Sequence, residues 1–201
     1  VLIAEALVRR GAKALVIACN TATAAAAEAI RAAVDLPIVA LEPGVKPAVA
    51  LTKSGVIGVL ATTRTLESER FQRLVGNHAN GYRVLAQACP GLAEAIEAQG
   101  PESAEVSALL DTFVAPLAAA AADVVVLGCT HYPWVAEAIA RRMPAGTVLL
   151  DGLDVRRSPE EVRRRIGYLP ESNILYPRMR VWDYLKFAGE MRGLCGKRLA
   201  E

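Results

Sequence analysis

The chain alternates short apolar, β-branched runs with longer alanine-rich stretches, and this alternation restricts its fold more than any other feature. The apolar runs are predicted strands and the alanine-rich stretches are predicted helices. The predicted strands are Ala14–Ala18, Ile38–Leu41, Val56–Leu60, Val84–Ala86, Val124–Leu127 and Thr147–Leu150. The predicted helices are Thr21–Ala33, Val45–Lys53, Leu66–Val75, Ala104–Ala121 and Tyr132–Arg142. Buried strands that alternate with helices indicate an α/β fold with a parallel sheet covered on both faces.

The composition changes near Asp151. Of the 37 alanines, 35 lie in residues 1–150, whereas 19 of the last 51 residues are charged, so a domain boundary is predicted there. The net charge of +2 offers no global attraction for nucleic acid or acidic lipid, and no apolar run reaches the roughly 20 residues of a membrane span. We therefore expect a soluble, cytoplasmic protein without nucleic-acid or membrane partners. Because the chain begins with valine, we also expect a fragment of a longer reading frame.

One structural unit occurs twice in the sequence. Residues 13–30 and residues 123–139 each contain a hydrophobic strand, a small residue, a cysteine, a nearby threonine and a helix that ends in Ala-Glu-Ala-Ile. A further short strand follows each copy. Two copies of a strand–cysteine–helix unit predict pseudo-symmetric halves that present Cys19 and Cys129 in equivalent positions.

The two cysteines are predicted at the carboxyl ends of parallel strands, where open α/β sheets bind ligands. The positive end of the following helix favours a thiolate and binds carboxylates. Two thiols that face one cleft can act as two bases, one removing a proton from carbon while the other delivers one to the opposite face. A hydrolase would need a single nucleophile with a histidine base. The four cysteines of the chain show no zinc spacing, so no metal site is predicted.

The segments ACNTAT at 18–23 and GCTHYP at 128–133 resemble the paired motifs of the cofactor-independent glutamate racemases, within the aspartate/glutamate racemase superfamily. The segments LPIVALEPGVKPAV, GVIGVLATTRTLES and CPGLAEAIE follow the family's order and spacing. The resemblance covers residues 1–151 and implies a pseudo-symmetric two-half parallel-sheet fold. Residues 1–44 would form a partial first half with Cys19, and residues 45–151 a second half with Cys129.

The resemblance also implies an activity and a set of site residues. The activity is interconversion of L- and D-glutamate. This reaction would supply D-glutamate for peptidoglycan, and so affect the cell wall and cell shape. The resemblance is also compatible with a homodimer. Cys19 and Cys129 would be the acid/base residues, with His131 assisting as a catalytic residue. Glu97 would be an assisting carboxylate or a solvated helix residue. The residues implied to contact substrate are Asn20, Thr21, Thr62, Thr65, Thr130 and His131.

Two departures from the family pattern shape the remaining expectations. The Asp-Ser-Gly loop and the Pro-Tyr-Gly loop of the family are missing, so we expect the first half to be incomplete and the chain to be inactive as it stands. Residues 152–201 resemble a fragment of an ABC-transporter ATP-binding subunit, with IGYLPE at 166–171 in the Q-loop region and without a phosphate-binding loop. These departures favour a chimera of a truncated racemase and an ATPase fragment.

Two alternative functions stay open at this point. An aspartate racemase or a related isomerase would use the same cysteines, and the choice of glutamate depends on the Thr-His-Tyr-Pro that follows Cys129. A non-catalytic module derived from the ATPase-like segment would place the function in residues 152–201.

Overall fold

The structure, a computed structural model, describes residues 1–150, which belong to one compact unit that ends at Gly152. The α-helices are α1 (Leu2–Arg9), α2 (Asn20–Ala33), α3 (Val45–Leu51), α4 (Thr63–Glu67), α5 (Glu69–His78), α6 (Leu92–Gln99), α7 (Ala104–Ala119) and α8 (Ala136–Ala140). The strands are β1 (Leu15–Ile17), β2 (Ile38–Ala40), β3 (Val56–Ala61), β4 (Arg83–Ala88), β5 (Val124–Leu127) and β6 (Val148–Leu150). A 3₁₀ helix spans Tyr132–Val135. The predicted ATPase-like segment lies outside the described residues.

All strand pairs in the described residues are parallel, as predicted, but the strands form two sheets rather than one. β1 pairs with β2 in a two-stranded sheet, and the other strands form a four-stranded sheet in the order β4-β3-β5-β6. β5 is buried along its whole length, as expected for a central parallel strand that is covered on both faces. The α/β fold class is therefore confirmed.

Successive residues of β5 enter two different hydrophobic clusters, because side chains alternate between the faces of a strand. Val125 and Leu127 pack with α6 and α7, whereas Val124 and Val126 pack with α3 and α5. This two-sided burial makes β5 a rigid support for the residues that follow its carboxyl end.

Several helices differ from their predicted bounds. The predicted helix Leu66–Val75 is interrupted at Ser68, which has extended backbone and whose hydroxyl accepts a hydrogen bond from the Phe71 amide, so α5 begins as a new helix. The predicted helix Tyr132–Arg142 is a 3₁₀ turn followed by the five-residue α8, and Pro133 lies within that turn. Helices α1 and α6 lie outside the segments predicted to be helical.

Among residues 1–150, no helix is both long and apolar enough to cross a lipid bilayer.

Candidate active site

The two cysteines of the repeated unit lie just past the carboxyl ends of two parallel strands, as predicted. Cys19 comes two residues after β1 and has the extended backbone of a helix N-cap, with its carbonyl accepting from the Thr23 amide at 2.9 Å. Cys129 comes two residues after β5. Both thiols are free and partly buried. The topology therefore presents one cysteine from each sheet.

Cys129 is connected to a carboxylate through a histidine. Its Sγ lies 3.6 Å from Nδ1 of His131, and Nε2 of His131 lies 2.6 Å from Oε1 of Glu97. The side chain of His131 is one-third exposed and that of Glu97 is 71% exposed. The structure thus places Glu97, on α6, against the Cys129 site, although 34 residues separate it from His131.

Cys129 does not have the helix-end environment that the sequence predicts. The residues after it form a 3₁₀ turn and a short helix, so no long helix begins at this thiol. Burial, together with the charges of Cys19 and Glu94, raises the pKa of Cys129, and a main-chain contact at His131 opposes this effect only partly. The protonated thiol is therefore the resting form of Cys129.

A single side chain joins the two cysteine segments. Nδ2 of Asn20 donates to the main-chain carbonyl of Gly128 at 2.9 Å, across 108 residues of sequence. Asn20 follows Cys19 and Gly128 precedes Cys129, so this bond connects the neighbours of both cysteines. The other amide atom, Oδ1 of Asn20, is buried and has no hydrogen-bond partner among the described residues.

Three threonine hydroxyls form a closed triangle beside Asn20. Thr21 Oγ1 lies 2.8 Å from Thr62 Oγ1 and 3.0 Å from Thr65 Oγ1, and the latter two lie 2.9 Å apart. Thr62 also caps α4 by accepting from the Thr65 amide. The structure therefore brings together three of the predicted substrate contacts, whereas Thr130 has an exposed side chain outside this triangle.

A small, solvent-open pocket adjoins one corner of the threonine triangle. Asn20 and Thr65 line it, and Arg70 and Glu42 form an ion pair of 3.1 Å in its wall. Of the three threonines, Thr65 is therefore the one that lines this pocket.

Two buried residues behind Cys129 are absent from the predicted site. Tyr132 is fully buried and its hydroxyl donates to the main-chain carbonyl of Cys89 at 3.4 Å. Burial raises the pKa of the Cys89 thiol to about 12, so this third cysteine stays protonated and inert. The position of Tyr132 directly after His131 could have indicated that it belongs near the site, but the sequence alone does not show which carbonyl its hydroxyl reaches.

Within residues 1–150, no three His, Cys, Asp or Glu side chains are grouped so that they could hold a metal ion.

Comparison with known proteins connects this arrangement with a family. Residues 1–156 match the family described as Asp/Glu/Hydantoin racemase. The chain belongs to this family. Both cysteines and every other predicted site residue lie within the matched stretch.

Glutamate racemases are among the members of this family that resemble the chain. The chain is 46% identical over 180 residues to the glutamate racemase of Pseudomonas syringae pv. tomato, covering 87% of this chain and 66% of that protein. It is 51% identical over 169 residues to that of Ectopseudomonas mendocina, covering 83% and 63%. The chain thus spans somewhat less than two thirds of the length of these relatives.

Solved racemase structures share the fold. The structure superimposes on Escherichia coli glutamate racemase, solved with L-glutamate and the activator UDP-MurNAc-Ala, with a TM-score of 0.67 and 26% identity over 94% of this chain and 75% of that one. A Bacillus anthracis glutamate racemase gives a TM-score of 0.69 and 28% identity over 96% and 74%. The α/β architecture with parallel sheets is therefore that of glutamate racemases.

The matches to these relatives extend beyond residue 151 into the last 50 residues. The matches to the two Pseudomonas-type relatives cover more of the chain than residues 1–151 contain, so the alignments extend into residues 152–201. Nothing in these comparisons supports an ABC-ATPase origin for that segment. That origin stays a prediction from the sequence.

Proposed function

We propose that this chain carries a glutamate racemase site, in which Cys19 and Cys129 act on opposite faces of Cα, one removing a proton and the other delivering one. The observation that carries the proposal is the presentation of two free thiols from the ends of two parallel strands, joined through the Asn20–Gly128 hydrogen bond. One thiolate removes the Cα proton and the opposite thiol delivers its own proton to the other face. One proton leaves Cα and one arrives, and the two sulfurs exchange protonation states.

His131 and Glu97 supply the base that the Cys129 thiol needs. When Nε2–H of His131 donates to the Glu97 carboxylate, Nδ1 is left with a lone pair that faces the Cys129 sulfur at 3.6 Å. The imidazole then accepts the thiol proton, and the carboxylate stabilises the imidazolium that results. This pair offsets the burial that holds Cys129 in its protonated form.

The polar groups beside the cysteines match the charged groups of an amino acid. The hydroxyls of Thr21, Thr62 and Thr65 can turn from each other to donate to a carboxylate. The bond from Nδ2 of Asn20 to Gly128 fixes the orientation of the amide, and its Oδ1, a buried acceptor without a partner among the described residues, suits the substrate ammonium. The names of the relatives support glutamate as the amino acid.

The product of this reaction has a place in the cell wall. We propose that D-glutamate formed in the cytoplasm supplies peptidoglycan, and with it cell shape. The activator UDP-MurNAc-Ala, with which the Escherichia coli relative was solved, supports this role.

The proposed function is tested by following glutamate in deuterium oxide. Circular dichroism measures conversion between enantiomers, and mass spectrometry measures deuterium at Cα. The chain is compared with a version extended by the segments of the Pseudomonas syringae relative that lie outside the match, which covers 66% of that protein. We expect the extended protein to racemise glutamate, and the Cys19→Ala and Cys129→Ala variants of it to lose racemisation by about 10³-fold or more, the scale on which catalytic groups act.

Two outcomes contradict the proposal. Full activity of the Cys19→Ala, Cys129→Ala double variant would show that the cysteines do not move the proton. A folded, extended protein that exchanges the Cα hydrogen of aspartate but not that of glutamate would establish the aspartate alternative instead.

A further inference from the structure

Tyr132 lies directly after the Cys129–His131 segment and cannot reach a substrate. Its side chain is 0% exposed and packs in the core cluster with Leu92 and Ile96, which belong to α6. Its amide donates to the carbonyl of Cys129 at 3.1 Å, which closes a tight turn around His131. Any effect of Tyr132 on chemistry must therefore pass through the residues of that turn.

The hydroxyl of Tyr132 connects this turn to the segment that leads into α6. It donates to the carbonyl of Cys89, and the Leu92 amide at the start of α6 donates to the same carbonyl at 3.4 Å. Burial raises the pKa of Tyr132 far above its ordinary range, so the hydroxyl remains a donor at every working pH. The connection joins the two segments that carry His131 and Glu97.

The His131–Glu97 contact needs such a support. The side chain of His131 is one-third exposed and that of Glu97 is mostly exposed, and ion pairs open to solvent contribute little by themselves. A short contact of 2.6 Å is maintained more easily when the two main-chain segments are already held in register. Tyr132 provides a buried, uncharged bond between those segments.

We propose that Tyr132 is a positioning residue, which aligns His131 with Glu97 and thereby activates Cys129 but not Cys19. The proposal deepens the proposed function, because it assigns the support of one of the two acid/base groups. It predicts an asymmetry: loss of the hydroxyl impairs the half of the reaction in which Cys129 is the base.

The test uses Tyr132→Phe in the full chain, with Tyr82→Phe as the matched control. Phenylalanine retains the ring in the core, and the Cys89 carbonyl keeps the Leu92 amide as a partner, so the variant is expected to fold. Tyr82 is 40% exposed, so Tyr82→Phe removes a tyrosine hydroxyl at a position outside the core. Iodoacetamide alkylation at one fixed pH, resolved by peptide mass spectrometry, gives separate rates for Cys19 and Cys129, and urea unfolding gives stability.

We expect Tyr132→Phe to slow alkylation of Cys129 by a factor of about 2 to 10, the range that loss of one hydrogen bond commonly gives, and to leave Cys19 unchanged. Tyr82→Phe should change neither rate. An equal change at both cysteines, or lower stability with an unchanged ratio of the two rates, would establish a packing role only and overturn the proposal.

A second variant tests whether Tyr132 affects Cys129 through the His131–Glu97 contact. On a Glu97→Ala background, Tyr132→Phe should slow Cys129 no further, because the contact that it aligns is already gone. Losses that multiply would show that the two residues act independently. Both readouts are independent of racemisation, so they distinguish failure of this inference from failure of the proposed function. Where the protein racemises, deuterium exchange of one glutamate enantiomer should slow more than that of the other.

Discussion

At the scale of single residues, the site depends on polar groups that satisfy one another across long stretches of chain. Thr21 meets Thr62 and Thr65, which lie 41 and 44 residues away, and each hydroxyl in this triangle has one proton to donate. A carboxylate that binds beside the triangle can accept these protons once the hydroxyls rotate away from each other, so that no hydroxyl loses a partner. The three donors are therefore clustered in one place, although they bond to each other in this structure.

Thr21→Val tests the triangle, because valine keeps the shape of the side chain and removes the hydroxyl that contacts both Thr62 and Thr65. We expect the Kd for glutamate to rise by about tenfold or more, the usual scale for a hydrogen bond to a charged group. Isothermal titration calorimetry with glutamate measures it. Thr63→Val, at an exposed position of α4, is the control and should bind as the native protein does. An unchanged Kd in Thr21→Val would remove the triangle from the binding site.

At the scale of elements, the position of Cys129 depends on how closely the ends of β3 and β5 approach. The Gly128 amide donates to the Leu60 carbonyl at 2.7 Å. A Cβ at Gly128 would lie 2.9 Å from Cβ of Ala61 and 3.0 Å from the Leu60 carbonyl oxygen. Only glycine allows this approach, so the small residue before Cys129 is a requirement of packing.

Gly128→Ala should destabilise the protein by about 1–3 kcal/mol, because main chain and a β-carbon must move apart. It should also lower the reactivity of Cys129, whose segment moves with Gly128. Urea unfolding measures the first effect and alkylation the second. Gly76→Ala is the matched control: it lies within α5 with nothing near its Cβ position, and alanine there should stabilise by up to about 1 kcal/mol. Equal stability of the two variants would contradict this account of Gly128.

At the scale of the whole molecule, two hydrophobic clusters of the described residues 1–150 pack on the four-stranded sheet. Asp123, which directly precedes β5, bonds to the loop that precedes β3. The side chain of Asp123 accepts from the Thr52 hydroxyl at 2.6 Å and from the amides of Lys53 and Ser54 at 2.7 and 2.8 Å. Desolvation acts in the opposite direction, but these hydrogen bonds hold the pKa of Asp123 well below its usual range. The loop before β3 is thereby tied to the start of β5.

The lowered pKa of Asp123 predicts a pH-dependent contribution to stability. Its contribution is complete above the unfolded-state pKa of about 4 and is lost as the pH falls toward the lower folded-state pKa. Asp123→Asn should therefore be less stable than the native protein at pH 7, and the difference should shrink below about pH 4. Urea midpoints between pH 7 and pH 2.5 measure it, with Asp35→Asn at an exposed aspartate as control. A difference that stays constant with pH would contradict the prediction.

The sequence by itself determined the features that depend on local patterns. Strand and helix periodicity predicted every strand of the described residues within two residues at each end, and β5 at its observed bounds. The repeated strand–cysteine unit correctly located Cys19 and Cys129 just after two parallel strands, because such strands are recognisable from the chain itself.

Only the tertiary structure decided which groups meet. The contacts of Asn20 with Gly128, of Glu97 with His131, and of Tyr132 with the Cys89 carbonyl each join residues between 34 and 108 positions apart. No local pattern specifies such pairs, because they arise from the order of strands in the sheet and from burial. The same burial raised the pKa of Cys129, where the sequence predicted a helix end that would favour the thiolate.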